Sequence, residues 1–72
     1  MSVAKNVEIS SSSSKSFEDA IQQGIARVNK TVKNVEGAWI KEQKVRIKDG
    51  TITRYNVMMI VSFVIDGDDD LK

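Results

Sequence analysis

The side chains best suited to chemistry in this sequence are one indole ring and its polar neighbours. Pairing the predicted hairpin outward from its turn places four residues on one face, namely Trp39, Gln43, Asn56 and Met58. A tryptophan beside two amides offers a flat stacking surface with hydrogen-bond donors and acceptors, which suits a planar heteroaromatic ligand. Tryptophan is also enriched at interface hot spots, so an anchor between subunits is the alternative prediction for Trp39.

The composition argues against catalysis. The chain has no His and no Cys, so no nucleophile–base–acid arrangement can be built, and no carboxylate pair falls inside an apolar stretch. Neither a Walker loop nor a dinucleotide-binding fingerprint is present. The acidic tail from Asp66 to Asp70 has carboxylates at alternate positions but lacks the following glycine and the terminal glutamate of a calcium loop, so a solvated acidic end is favoured over a cation site. We expect neither enzyme activity nor a metal site.

The charge balance does not indicate a nucleic-acid or membrane partner. Lys and Arg number 11 against 10 Asp and Glu, a net charge of +1, which is far from the basic balance of a nucleic-acid-binding protein. No apolar run approaches the roughly 20 residues of a membrane-spanning helix, and no signal-peptide pattern follows the first residue. The default expectation is a cytoplasmic protein.

The apolar stretch Tyr55–Ile65 is the element that must position these side chains. Its odd-numbered residues form a wholly apolar strand face, and its even-numbered residues, from Asn56 to Val64, form a face that is apolar in the middle. A helix is therefore predicted to pack on one face of this strand, and a second element is predicted to pack on the other face. A chain of 72 residues without disulfides is too short to supply both covers. The second cover is predicted to be another subunit.

One helix is predicted between two strand regions. Ser16 is a suitable N-cap, and apolar residues at helical spacing follow it: Phe17, Ala20, Ile21, Ile25, Val28, Val32 and Val35. Gly24 lies in this stripe, which predicts a close approach of another element, and Gly37 is expected to end the helical region. Before the helix, alternation predicts a strand over Val3–Ser10, and the five serines Ser10–Ser14 are expected to form a flexible connector rather than a phosphate-binding loop.

The pair Asp49-Gly50 predicts a tight hairpin between strands Ala38–Lys48 and Thr51–Asp66. Without a bulge, this turn places Gln43 opposite Asn56, Lys41 opposite Met58 and Trp39 opposite Ile60. The predicted fold is α+β, a β-α-β-β protomer in which a three-stranded antiparallel sheet wraps one helix. Residues 1–66 form the domain, and residues 67–72 are expected to be a mobile acidic tail.

Four segments resemble the dodecin family: the opening Met-Ser-Val-Ala-Lys, the helix start Ser16–Ile21, the segment Ala38–Gln43 and the strand Tyr55–Phe63. The similarity covers about Val3 to Asp66. It implies a β-α-β-β protomer, twelve of which close into a hollow shell. It also implies binding of riboflavin or FMN as stacked pairs between tryptophans of two subunits, without catalytic turnover.

The resemblance implies roles for the residues that match the family pattern, and it shows one departure. An ungapped alignment through the helix places the family's stacking tryptophan on Gly37, and Trp39 lies two residues further on. The family's amide position falls on Asn56. The first hypothesis is therefore a dodecamer that stores flavin, with Trp39 stacking, Asn56 and Gln43 hydrogen-bonding, and Met58 packing against the ring. The alternative is a shell that has lost flavin binding and is associated with cations such as calcium.

Overall fold

The chain forms one helix and three strands, and the strands pair into a single antiparallel sheet. The computed structural model describes residues 3–66, and the predicted tail, residues 67–72, lies outside them. The elements are β1 (Val3–Ser13), α1 (Phe17–Thr31), β2 (Val35–Lys48) and β3 (Thr51–Asp66), with the strand order β1-β3-β2. The predicted α+β class, the β-α-β-β order and the bounds of the last strand are confirmed.

β3 lies in the centre of the sheet, and α1 packs on the β1–β3 half of one face. We call this the inner face. The opposite, outer face is defined on β3 by Asn56, Met58, Ile60, Ser62 and Val64. α1 leaves β2 largely uncovered, so the sheet extends past the helix as an elongated hairpin.

The core is small and lies between α1 and the inner face of β3. Its buried apolar residues are Ala20, Val57, Met59 and Val61, and a ring of partly buried apolar side chains surrounds them. The ring of Phe17 at the helix start meets the ring of Tyr55 edge-on, with centroids 5.2 Å apart. The predicted apolar face of the last strand is thus confirmed. Much of the remaining apolar surface stays accessible in the single chain.

Hydrogen bonds at the start of α1 tie the helix to the end of β1. The Ser16 hydroxyl accepts from the Asp19 amide at 2.9 Å, which confirms the predicted N-cap. The Ser13 hydroxyl donates to the Asp19 carboxylate at 2.6 Å and accepts from the Lys15 amide at 2.9 Å. Gln23 also donates to this carboxylate, at 2.6 Å. The Ser13 hydrogen bond is the main reason why the pKa of Asp19 is lowered; Gln23 and the charge of Lys15 add to it, against an opposing effect of desolvation.

Most of the serine run belongs to a strand, so the connector prediction is wrong for Ser10–Ser13. These residues pair with Met58, Val57, Asn56 and Tyr55 in regular register. Backbone pairing does not depend on side-chain polarity, and the long β3 provides partners for every one of them. Only three residues, 14–16, connect β1 to α1.

The helix ends earlier than predicted. It stops at Thr31, and the amide of Val32 closes the last turn on the carbonyl of Val28. Asn34, with φ of 65°, then turns the chain into β2. Gly37 therefore does not end the helix but lies in β2, and Val35 belongs to the same strand. Asparagine tolerates the left-handed region well enough to replace the expected glycine.

At Gly24, α1 closely approaches the sheet, as predicted. A Cβ atom at this position would overlap the terminal methyl of Met59 and would lie 3.2 Å from Cβ of Ser11. Met59 is fully buried, so its side chain has little space to move away. The hairpin turn is also confirmed, with φ of 51° at Asp49 and 77° at Gly50. None of the helical segments among residues 3–66 has the length and apolarity needed to cross a bilayer.

We expect Gly24→Val to destabilise the fold by about 1–3 kcal/mol, because added atoms in a filled core force neighbouring side chains to shift. Gln22→Val is the control, since it introduces the same side chain at an exposed position of the same helix; helix propensity alone would favour Gly24→Val over this control. Thermal unfolding of the three proteins would measure the difference. Equal midpoints for the two variants would contradict the close packing at Gly24.

We expect Asp19→Asn to reduce the pH dependence of stability. Because the folded-state pKa of Asp19 is lowered, its carboxylate stabilises the fold above the unfolded pKa of about 3.9, and this contribution is lost as the pH falls through the folded value. The natural chain should therefore lose more stability than the variant between about pH 6 and pH 3. Glu18→Gln, in the same turn, is the control. A difference between natural chain and Asp19→Asn that is independent of pH would refute this role.

Candidate functional site

Two of the three register shifts between β2 and β3 determine which predicted site residues share the outer face; the third lies at Glu36, beyond them. Lys48 pairs with Thr51, as predicted, and Ile47 pairs with Ile52, but Arg46 then pairs with Arg54. Thr53 is therefore an extra residue in β3. The resulting one-residue offset persists until Lys41, which is an extra residue in β2 and restores the original register. A bulge places two residues opposite one and changes the pairing of every residue beyond it.

The register corrects two of the predicted pairs and confirms the third. Trp39 lies opposite Ile60, as predicted. Gln43 was expected opposite Asn56 but lies opposite Val57, whose side chain is buried under α1. Because paired residues point to the same side of a sheet, Gln43 lies on the inner face, away from the other candidate residues.

Lys41 was expected opposite Met58, but Glu42 takes that position. The Lys41 ammonium instead lies 3.1 Å from the Glu8 carboxylate of β1. Glu8 and Trp39 both pair with Ile60, on opposite sides of β3, so this ion pair crosses the central strand beside Trp39. Both side chains are about half exposed, and such pairs add little stability. The contact places the Lys41 and Glu8 side chains next to the indole.

The polar centre of the outer face is a shallow concavity of about 300 Å³. It is lined by Ser10, Ser11, Ser12, Glu42, Lys44, Asn56, Val57 and Met58. We call it the outer concavity. Asn56 and Met58 lie in it, as the predicted site requires, and Lys44 is directly opposite Asn56. The serines and the charged pair Glu42 and Lys44 were not among the predicted site residues.

Trp39 lies on the same face as the outer concavity but not within it. The indole is 52% exposed. Trp39 is opposite Ile60, which is four residues from Asn56, so the two candidate side chains are separated by roughly 13 Å along β3. A ligand that contacts both must extend along the strand or be shared between two copies of the chain.

Gly37 lies further from the concavity, opposite Ser62 on the outer face. A Cβ atom built at Gly37 has no neighbour within 4 Å, so the space where the dodecin pattern has its stacking tryptophan is open in the single chain. Nearby, the Ser62 hydroxyl donates to the side-chain oxygen of Asn6 at 2.6 Å. Trp39 is thus one strand repeat closer to Asn56 than Gly37 is.

Within residues 3–66, no group of three or more acidic, His or Cys side chains is arranged to hold a metal ion. The acidic stretch that was weighed as a calcium loop begins at Asp66 and lies, apart from the backbone of that residue, outside the described residues.

The dodecin family model matches residues 3–66. The structure is similar to that of the tt0972 protein from Thermus thermophilus, with a TM-score of 0.87, 29% identity, and coverage of 94% of this chain and 100% of that one. It is also similar to the dodecin from Streptomyces davaonensis, with a TM-score of 0.84, 28% identity, and coverage of 90% of this chain and 96% of that one. A third similar structure is the calcium dodecin from Mycobacterium tuberculosis, a calcium-chelating antigen. Its TM-score is 0.77 and its identity 27%, with coverage of 96% of this chain and 99% of that one. Among curated proteins, none matches the sequence. The family model spans nearly the whole chain, and the chain belongs to the dodecin family.

Proposed function

We propose that this chain assembles as a homododecamer that binds and stores a planar small molecule, with flavin (riboflavin or FMN) as the leading candidate and without catalysis. Dodecins are small binding proteins, they form dodecamers, and flavin binding is typical of them. The observation that carries the proposal is the juxtaposition of a half-exposed Trp39 with a polar concavity on the same sheet face.

Each residue of the proposed site has a distinct role. Trp39 stacks on the ring, Met58 packs against it, and Asn56 hydrogen-bonds its polar edge. Gln43 is left out of the site because it lies on the inner face, and Lys44, directly opposite Asn56, takes its place as the polar partner. The ring is displaced toward the hairpin turn, because the stacking residue is Trp39 instead of Gly37.

The separation between Trp39 and Asn56 favours a site that is shared between subunits. Large apolar side chains remain exposed in the single chain, including Trp39, Ile40, Ile47 and Ile52. A second copy covering the outer face would bury Trp39 and bring its own Trp39 toward the concavity, whereas Ile40, opposite the buried Met59, lies on the part of the inner face that α1 leaves uncovered. The same contact would explain why so small a core is sufficient for a stable chain.

The visible spectrum of the natively purified protein is the direct test. A yellow sample with quenched flavin fluorescence is expected. A colourless protein that also leaves the fluorescence of added FMN unchanged would overturn the proposal and favour a shell without flavin. Calcium titration would then test cation binding, which is motivated by the similarity to a calcium dodecin.

The Ile60→Lys variant tests the assembly. Ile60 lies between Trp39 and Glu8 on the outer face, and a charge buried there in a subunit contact costs several kcal/mol. We expect a mass near that of a monomer by light scattering, whereas the natural chain should have a mass near twelve chains. Asn29→Lys, on the exposed side of α1, should remain assembled. A well-folded monomer for the natural chain would contradict the assembly itself.

The Trp39→Ala variant tests the stacking role. Loss of a stacked aromatic pair, about 0.5–1.5 kcal/mol beyond the buried area, should weaken FMN binding roughly tenfold or more. Trp39→Phe should retain part of the affinity. Fluorescence titration and light scattering on the same samples give affinity and assembly together. If Trp39→Ala dissociates the shell while FMN affinity per intact shell is unchanged, Trp39 is an interface anchor and does not stack.

A further inference from the structure

Two arginines lie side by side on the outer face of the hairpin. Arg46 of β2 is directly opposite Arg54 of β3, and the adjacent pair toward the centre of the sheet is Lys44 and Asn56. No bulge separates these two pairs, so all four residues point to the same side. We call Lys44, Arg46 and Arg54 the cationic patch. It borders the outer concavity, which Lys44 and Asn56 line.

The bulge at Thr53 creates this pairing. In an unbulged hairpin, Arg46 would be opposite Thr53, and Arg54 would be opposite Val45 on the other face. The extra residue places the two arginines opposite each other, and the Thr53 hydroxyl donates to the carbonyl of Arg46 at 3.3 Å across the bulge. Bulges recur where a protein redirects a side chain toward a site.

None of the three side chains of the cationic patch forms a salt bridge within residues 3–66. All three side chains are exposed, and the ion pair described for residues 3–66 joins Lys41 to Glu8 instead. The nearest carboxylates by register are Glu42, one strand repeat beyond Lys44, and Asp49 in the turn next to Lys48. Like charges directly opposite in an antiparallel pair, with Cβ atoms about 4.5–5.5 Å apart, destabilise the sheet.

We infer that the cationic patch is a subsite for the phosphate of a phosphorylated ligand whose ring system occupies the outer concavity. Two guanidinium groups and an ammonium match a phosphate dianion, because each arginine can donate two parallel hydrogen bonds to its oxygens. The inference rests on the proposed function for the ring. It predicts that the chain binds FMN, which carries a phosphate, more tightly than riboflavin, which does not.

The first test compares FMN with riboflavin on the assembled protein. The natural chain is expected to bind FMN about tenfold more tightly, a preference that declines as salt is added. In the double variant Arg46→Gln, Arg54→Gln this preference should disappear while riboflavin affinity stays unchanged. Arg27→Gln, the same change on the exposed side of α1, should keep the preference. Equal affinities for FMN and riboflavin in the natural chain would overturn the subsite and leave the proposed flavin function intact.

A second test does not require a flavin. Inorganic pyrophosphate is titrated by calorimetry into the natural chain, the Arg27→Gln control and the double variant. Heat of binding that is present in the first two and absent in the third supports the subsite, even if neither flavin binds and the proposed function fails. A charge-retaining double variant, Arg46→Lys with Arg54→Lys, should bind pyrophosphate more weakly than the natural chain, because lysine lacks the bidentate geometry.

Light scattering on the same variants distinguishes a ligand site from a contact between copies. The double glutamine variant is expected to remain assembled. If it dissociates, and the natural chain does not bind pyrophosphate, the two arginines bind carboxylates of a neighbouring subunit and the subsite is refuted.

Discussion

The contact between α1 and the central strand is the interaction on which the rest of the molecule depends. Ala20 and Gly24 bring the helix backbone close enough to cover Val57, Met59 and Val61, which are almost completely buried. No other pair of elements within residues 3–66 forms a comparable dry core. Because a glycine in a helix costs about 1 kcal/mol relative to alanine, its position against Met59 indicates that close packing outweighs helix propensity here.

Because α1 covers one face of β3 so completely, the accessible apolar side chains of β3 lie mostly on the other face. α1 is too short to cover β2 and lies on one side only, so Met58, Ile60 and Trp39 stay accessible. Under the proposed function, the same surface serves two purposes in this small chain, subunit contact and ligand contact. That dual use is the physical reason why the two roles considered for Trp39 are linked rather than independent.

Two bulges turn a simple hairpin into a surface with a specific pattern of charge. The bulge at Lys41 directs an ammonium across the central strand to Glu8, and the bulge at Thr53 places Arg46 opposite Arg54. The first arrangement satisfies a charge within the chain. The second concentrates charge of one sign, which a chain maintains at a cost in stability and which an anion would relieve.

Secondary-structure elements with local signals could be predicted from the amino-acid sequence alone. Alternation in Tyr55–Ile65, the cap at Ser16, the stripe of α1 and the Asp49-Gly50 turn predicted the β-α-β-β fold, because each depends on neighbouring residues only. The strand formed by Ser10–Ser13 and the positions of Gln43 and Lys41 depended on pairing with β3. A single inserted residue reverses a strand face without any local signature, so only the tertiary structure could separate Gln43 from Asn56 and bring Arg46 to Arg54.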